Sequence, residues 1–106
     1  MNLSITARGY KAPERLKKYI GEKVDRKKRI FEDVLDFDII LSYEKQTQVA
    51  DFKIMMNNKS IIITEKSDDI FKSIDLALDS SERQIKRHKE KQRDHSNKKI
   101  VDNLVA

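Results

Sequence analysis

The 106 residues suffice for one domain with a single sheet and two helices, and a second domain does not fit. With 39% charged residues against 38% hydrophobic ones and a net charge of +5, the core is expected to be thin and the surface heavily ionised. The absence of cysteine excludes a disulfide framework, a thiolate metal site and a cysteine nucleophile, and with no leader-like segment or long apolar run the expectation is a cytoplasmic protein with no membrane role.

Asn2 to Ala7 alternates, with Leu3, Ile5 and Ala7 on one side and Asn2, Ser4 and Thr6 on the other, which predicts a half-buried strand. Gly9 supplies a turn. Pro13 suits a first helical turn, and Leu16, Tyr19, Ile20, Val24, Ile30 and Phe31 follow at helical spacing, predicting a helix from about Ala12 to Ile30. Lys23 and Lys27 fall inside its apolar arc and must reach outward to the rim.

Phe37, Ile39, Leu41 and Tyr43 alternate with polar neighbours to give a second strand, and Ala50, Phe52, Ile54 and Met56 give a third. The polar link Lys45 to Gln48 predicts a hairpin between them. Asn57 and Asn58 tolerate positive φ and predict a second tight turn, leading into a fourth strand around Ile61, Ile62 and Ile63. From Asp68 to His95 a single helical rhythm runs through Ile70, Phe71, Ile74, Ala77, Leu78, Ser81, Ile85 and His88, with Ser67 placed to cap its start. Asp68 and Asp69 sit where the helix dipole is positive, and Arg87, Lys89, Lys91 and Arg93 where it is negative. The expected architecture is an α+β two-layer sandwich in the order β-α-β-β-β-α, an antiparallel meander with both helices on one face. Residues 1–95 form the domain and 96–106 a flexible tail with a small apolar patch at Ile100, Val101, Leu104 and Val105.

Charge is segregated along the chain. Arg8 to Arg29 carries a net +7, Glu32 to Glu82 a net −7, and Arg83 to Lys99 a net +6. Mixed signs would serve solubility better, so two cationic segments point to a polyanionic partner. After Ile85 no large apolar side chain appears until Ile100, so the back of the second helix is a solvated basic rod.

Enzyme chemistry finds little support. His88 and His95 stand two turns apart, about 10.5 Å along a helix, too far to share one ion, so no metal is expected. Gly9 and Gly21 are the only glycines, which excludes a glycine-rich phosphate loop, and no cofactor is implied. Glu32, Asp33, Asp36 and Asp38 form an acidic cluster better read as solvated loop carboxylates than as a magnesium site or an acid and base pair. The basic helices instead suit phosphate neutralisation by counterion release. No exposed aromatic pair of the kind that stacks single-stranded bases is apparent, so the expected partner is structured RNA contacted through backbone and shape.

The opening Asn2-Leu3-Ser4-Ile5-Thr6-Ala7, the Tyr43-Glu44-Lys45 to Asp51 hairpin, Asp69-Ile70-Phe71-Lys72-Ser73-Ile74-Asp75 and Arg83-Gln84-Ile85-Lys86-Arg87-His88-Lys89-Glu90-Lys91 resemble the bacterial hibernation-promoting factor and ribosome-associated inhibitor family, from Met1 to about Arg93. The resemblance implies a non-enzymatic protein with a double-stranded-RNA-binding-domain-like fold, monomeric when free. It would sit on the small ribosomal subunit, bind its rRNA in the channel used by mRNA and tRNA in competition with them, and inhibit translation in stationary phase or stress. The positions that match the family's basic pattern are Lys17, Lys23, Arg26, Lys45, Arg83, Arg87, Lys89 and Lys91, with Lys86 adding charge beside them. Lys27 and Glu65 depart from it, standing where an aliphatic and a small residue are usual. Nothing here corresponds to the second domain of the family's long form, so the likeness is to the short forms. A generic structured-RNA module is the alternative.

Overall fold

The structure is a computed structural model that describes the backbone of residues 1–105 and the side chains of residues 1–91. Six elements follow the expected order: β1 (Asn2–Ala7), α1 (Glu14–Arg26), β2 (Val34–Glu44), β3 (Thr47–Met56), β4 (Lys59–Ser67) and α2 (Ile70–Val105). The strands form one sheet in the order β1-β2-β3-β4. The antiparallel meander holds for β2, β3 and β4, but β1 pairs parallel with β2, from Asn2 against Asp36 to Ala7 against Leu41. The crossover through α1 is the cause, since a helix between two neighbouring strands returns the chain to the end from which it started.

Alternation sorts each strand into a helix-facing and an open side. Phe37, Ile39, Leu41, Phe52, Ile54, Ile61 and Ile63 are buried beneath Leu16, Ile20 and Val24 of α1 and Ile74, Ala77, Leu78 and Ile85 of α2, in one core. The opposite face carries Asp38, Asp51, Lys53, Thr64 and Ile62, the last 73% exposed. β1 and β4 run the same way, so both helices run back in parallel, and their contacts advance in step. The Arg15 guanidinium lies 5.9 Å from the Phe71 ring centre, the Tyr19 and Phe71 rings pack edge to face, and Lys27 meets Glu82. The helix N-termini therefore lie by the β2–β3 hairpin, and the C-terminal end of α1 lies by the β3–β4 turn.

Several boundaries differ from the sequence expectation for local reasons. α1 begins after Pro13, which is extended (ψ 147°), and ends at Arg26, where the chain enters turns closed by Ile30 N–H to the Lys27 carbonyl (2.9 Å) and Val34 N–H to the Phe31 carbonyl (3.1 Å). Phe31 is nonetheless buried, its ring 5.4 Å from that of Phe37, so it plugs the end of the core from a turn. The β2–β3 connection is only Lys45–Gln46, with Lys45 at φ 56°, and Asn58 adopts φ 67° in the β3–β4 turn as expected. Asp69, not Ser67, caps α2: its carboxylate accepts the Phe71 N–H at 2.9 Å. Ser67 instead braces the approach, donating to the Asp69 carbonyl, while Ser73 donates to the Gln48 carbonyl at 2.8 Å and ties the helix to β3. α2 extends to Val105, past the expected end at His95, and the tail expected at 96–106 lies outside the residues described in full. Among the described residues no helix is long and apolar enough to cross a membrane.

Candidate nucleic-acid interface

Where the two helices run side by side, the lysines of the seam have carboxylate partners. Lys27 and Lys86 both reach Glu82, the latter at 3.1 Å, and Lys23 lies 3.7 Å from Asp75. Glu82 is held below the usual glutamate range, first by the hydrogen bond from Lys27 and then by that from Lys86, against the opposing effect of burial. Asp75 also accepts the Tyr19 hydroxyl at 2.7 Å, and that bond, with burial, pushes the phenol up to about 12 while Arg26 opposes the shift. Lys89, farther along, faces Glu32 at 3.7 Å and Asp33 at 3.5 Å and donates to the Arg29 carbonyl at 3.3 Å. The acidic stretch of the sequence is thereby accounted for: two of its carboxylates face a lysine, Asp36 accepts from Asn2, and Asp38 stands opposite Lys53. Among the described residues no three His, Asp or Glu side chains gather as a metal site would require.

Successive residues of a helix point about 100° apart, so the cations of α2 do not share one side. Lys86 and Lys89 turn toward α1, and Arg83 is exposed on the crown of the helix. Arg87 and Lys91 turn the other way, toward β4, where they line a cleft of about 180 Å³ with Lys59, Ile61, Gln84 and His88. On this flank no carboxylate lies within ion-pairing distance of Lys59, Arg87 or Lys91 among the described residues.

Of the nine positions expected to bind, the structure gathers seven along the paired helices: Lys23, Arg26, Arg83, Lys86, Arg87, Lys89 and Lys91. Lys17 is apart from them, about 200° round α1 from Tyr19 and paired with Glu14 at 3.8 Å. Lys45 sits at the hairpin tip, separated from the β3–β4 turn by the length of β3, about 33 Å. The residue that the charge pattern did not single out is Lys59, isolated in an acidic block. Its signal was alternation, because Lys59 shares the helix-facing side of β4 with Ile61 and Ile63.

The sequence matches the family described as Sigma 54 modulation protein / S30EA ribosomal protein over residues 3–93. Among curated proteins it is 28% identical over 95 residues to a ribosome hibernation promoting factor of Salmonella typhimurium, covering 90% of this chain and all of that protein. A protein of the same name from Azotobacter vinelandii is 27% identical over 92 residues, 87% of this chain and 86% of that one. A ribosomal subunit interface protein from Coxiella burnetii superposes with a TM-score of 0.80 at 22% identity, covering 85% of this chain and 99% of that one. The N-terminal domain of Protein Y from Thermus thermophilus gives 0.73 at 24% identity, with 83% and 99% covered. The structural likenesses establish the fold that the sequence led us to expect.

Proposed function

The chain belongs to the Sigma 54 modulation protein / S30EA ribosomal protein family, and from that premise we propose that it is a ribosome hibernation factor that silences idle ribosomes by occupying the small subunit's mRNA and tRNA channel. It acts by occupancy alone, as a monomer in the cytoplasm, without catalysing a reaction. The observation that carries the reading is the parallel pairing of two cationic helices on one face of the sheet, with Arg26, Arg83, Lys86, Arg87 and Lys91 along them, all five exposed. A row of such charges displaces the counterions condensed on ribosomal RNA and binds its backbone with steep salt dependence. The side chains responsible are those expected from the sequence, Lys17, Lys23, Arg26, Lys45, Arg83, Lys86, Arg87, Lys89 and Lys91, with the helix set dominant and Lys17 and Lys45 peripheral.

Co-sedimentation with vacant ribosomes tests this. About one copy should bind per ribosome, tRNA filling the same sites should displace it, and Glu at positions 86, 87, 89 and 91 together should abolish binding with the melting curve still cooperative. Unchanged binding of that variant would overturn the role of α2. Equal affinity for free duplex RNA, with no tRNA competition, would replace the reading with a generic RNA-binding module.

A further inference from the structure

The cations of the helix pair fall into two electrostatic situations. On the α1 side each lysine faces carboxylates: Lys23 with Asp75, Lys27 and Lys86 with Glu82, Lys89 with Glu32 and Asp33. A phosphate entering that seam would meet at least four negative groups and would have to break existing ion pairs. On the β4 side, the first such acid along the helix-facing positions of β4 is Glu65, six residues from Lys59 and thus about 20 Å away, while Glu90 of α2 is exposed and in no ion pair among the described residues.

We propose that the cleft between the start of β4 and α2, formed by Lys59, Gln84, Arg87, His88 and Lys91, is a phosphodiester-binding site that grips one strand of structured RNA. The proposal rests on the RNA-binding reading above and assigns it a place, the flank of α2 turned away from α1. Concavity supplies the shape, since the five polar side chains line one cleft of about 180 Å³. Arg87 and Lys91 stand one turn apart on the same helical flank, about 6 Å, so they can meet successive phosphates of one strand. Lys59 enters from the sheet side, held there by the β3–β4 turn in which Asn58 takes φ 67°. The Gln84 amide, half engaged by a 3.4 Å bond to Ser80, retains a second N–H for a phosphate oxygen. Lys27, whose ammonium meets Glu82 across the seam, is then a positioning residue that holds α2 against α1 so that the far flank is presented rigidly.

The test pairs the two flanks. Ribosome affinity of Lys59→Glu should fall about tenfold at low salt, with the logarithmic salt slope reduced by about one. The Lys27→Gln variant should keep the wild-type slope and melt at a lower temperature. A Lys59→Glu protein that binds as wild type, or a Lys27→Gln protein that loses a unit of slope, overturns the proposal. Amide NMR of the wild-type chain with a short A-form RNA duplex supplies an arm that needs no ribosome. Perturbation at Lys59, Gln84, Arg87 and His88 is expected, and perturbation confined to the α1 seam refutes the assignment. If the duplex perturbs the cleft and vacant ribosomes are ignored, the cleft stands and the hibernation reading falls.

Discussion

Toward α1, the lysines of α2 meet Glu82, Glu32 and Asp33, and the Tyr19 phenol and Lys23 ammonium close on Asp75. Toward β4, Arg87, Lys91 and Lys59 border a cleft with no carboxylate in ion-pairing reach among the described residues. The two flanks carry similar residue types at similar spacing. What separates them is the company each charge keeps: a cation already paired with an acid is engaged within the fold, and one left facing solvent attracts a polyanion. Positive charge counted along a sequence therefore overstates the surface available to a ligand.

The comparison can be broken most forcefully at the residue both flanks share. Ile85 is fully buried between them and is the last large apolar anchor of α2 among the described residues. Ile85→Ala should cost about 2 to 5 kcal/mol and, if α2 lifts, should impair both the seam and the cleft, as a thermal melt and a binding isotherm will show. A variant that loses only one of the two would argue that the flanks fold independently.

Glu82→Gln acts on the α1 side alone. It leaves Lys27 and Lys86 without their carboxylate, and the expected loss is about 1.5 to 3 kcal/mol at neutral pH, read by chemical denaturation. Because the folded protein holds this carboxyl below its usual range, the contribution is complete above about pH 4.3 and is lost as pH falls through the lower folded value. The stability gap between wild type and variant should therefore close on acidification below about pH 4. A gap that persists there would show that the loss is one of packing rather than charge.

Phe71→Ala probes the same seam nearer its start. The ring is half-buried, edge-on to Tyr19 at 5.0 Å and beneath Arg15, so the cost should be about 2 kcal/mol, below the 3 to 5 kcal/mol of a fully buried ring. Lys59→Gln should do least to stability, within about 0.5 kcal/mol, because the side chain is exposed and has no ion pair among the described residues. A larger loss in its melting curve would mean that Lys59 serves the fold rather than a ligand.

The sequence by itself determined the element order, the helix-facing side of β1, β2 and β3 and the family, because period-two and period-3.6 patterns of apolar residues leave little choice of buried face, whereas the run Ile61-Ile62-Ile63 left the face of β4 to the fold. It also determined where the basic side chains concentrate, since net charges of +7 and +6 in two segments are local facts of composition. Tertiary structure alone decided that β1 lies parallel to β2, that Phe31 is core without being helix, and that Lys27 and Lys86 converge on Glu82 while Arg87 and Lys91 do not. Lys27 and Glu82 are 55 residues apart, and Lys59 and Arg87 come from different elements. No local pattern encodes such pairings, because an ion pair depends on where two packed surfaces bring side chains together, and that is fixed only when the helices settle on the sheet.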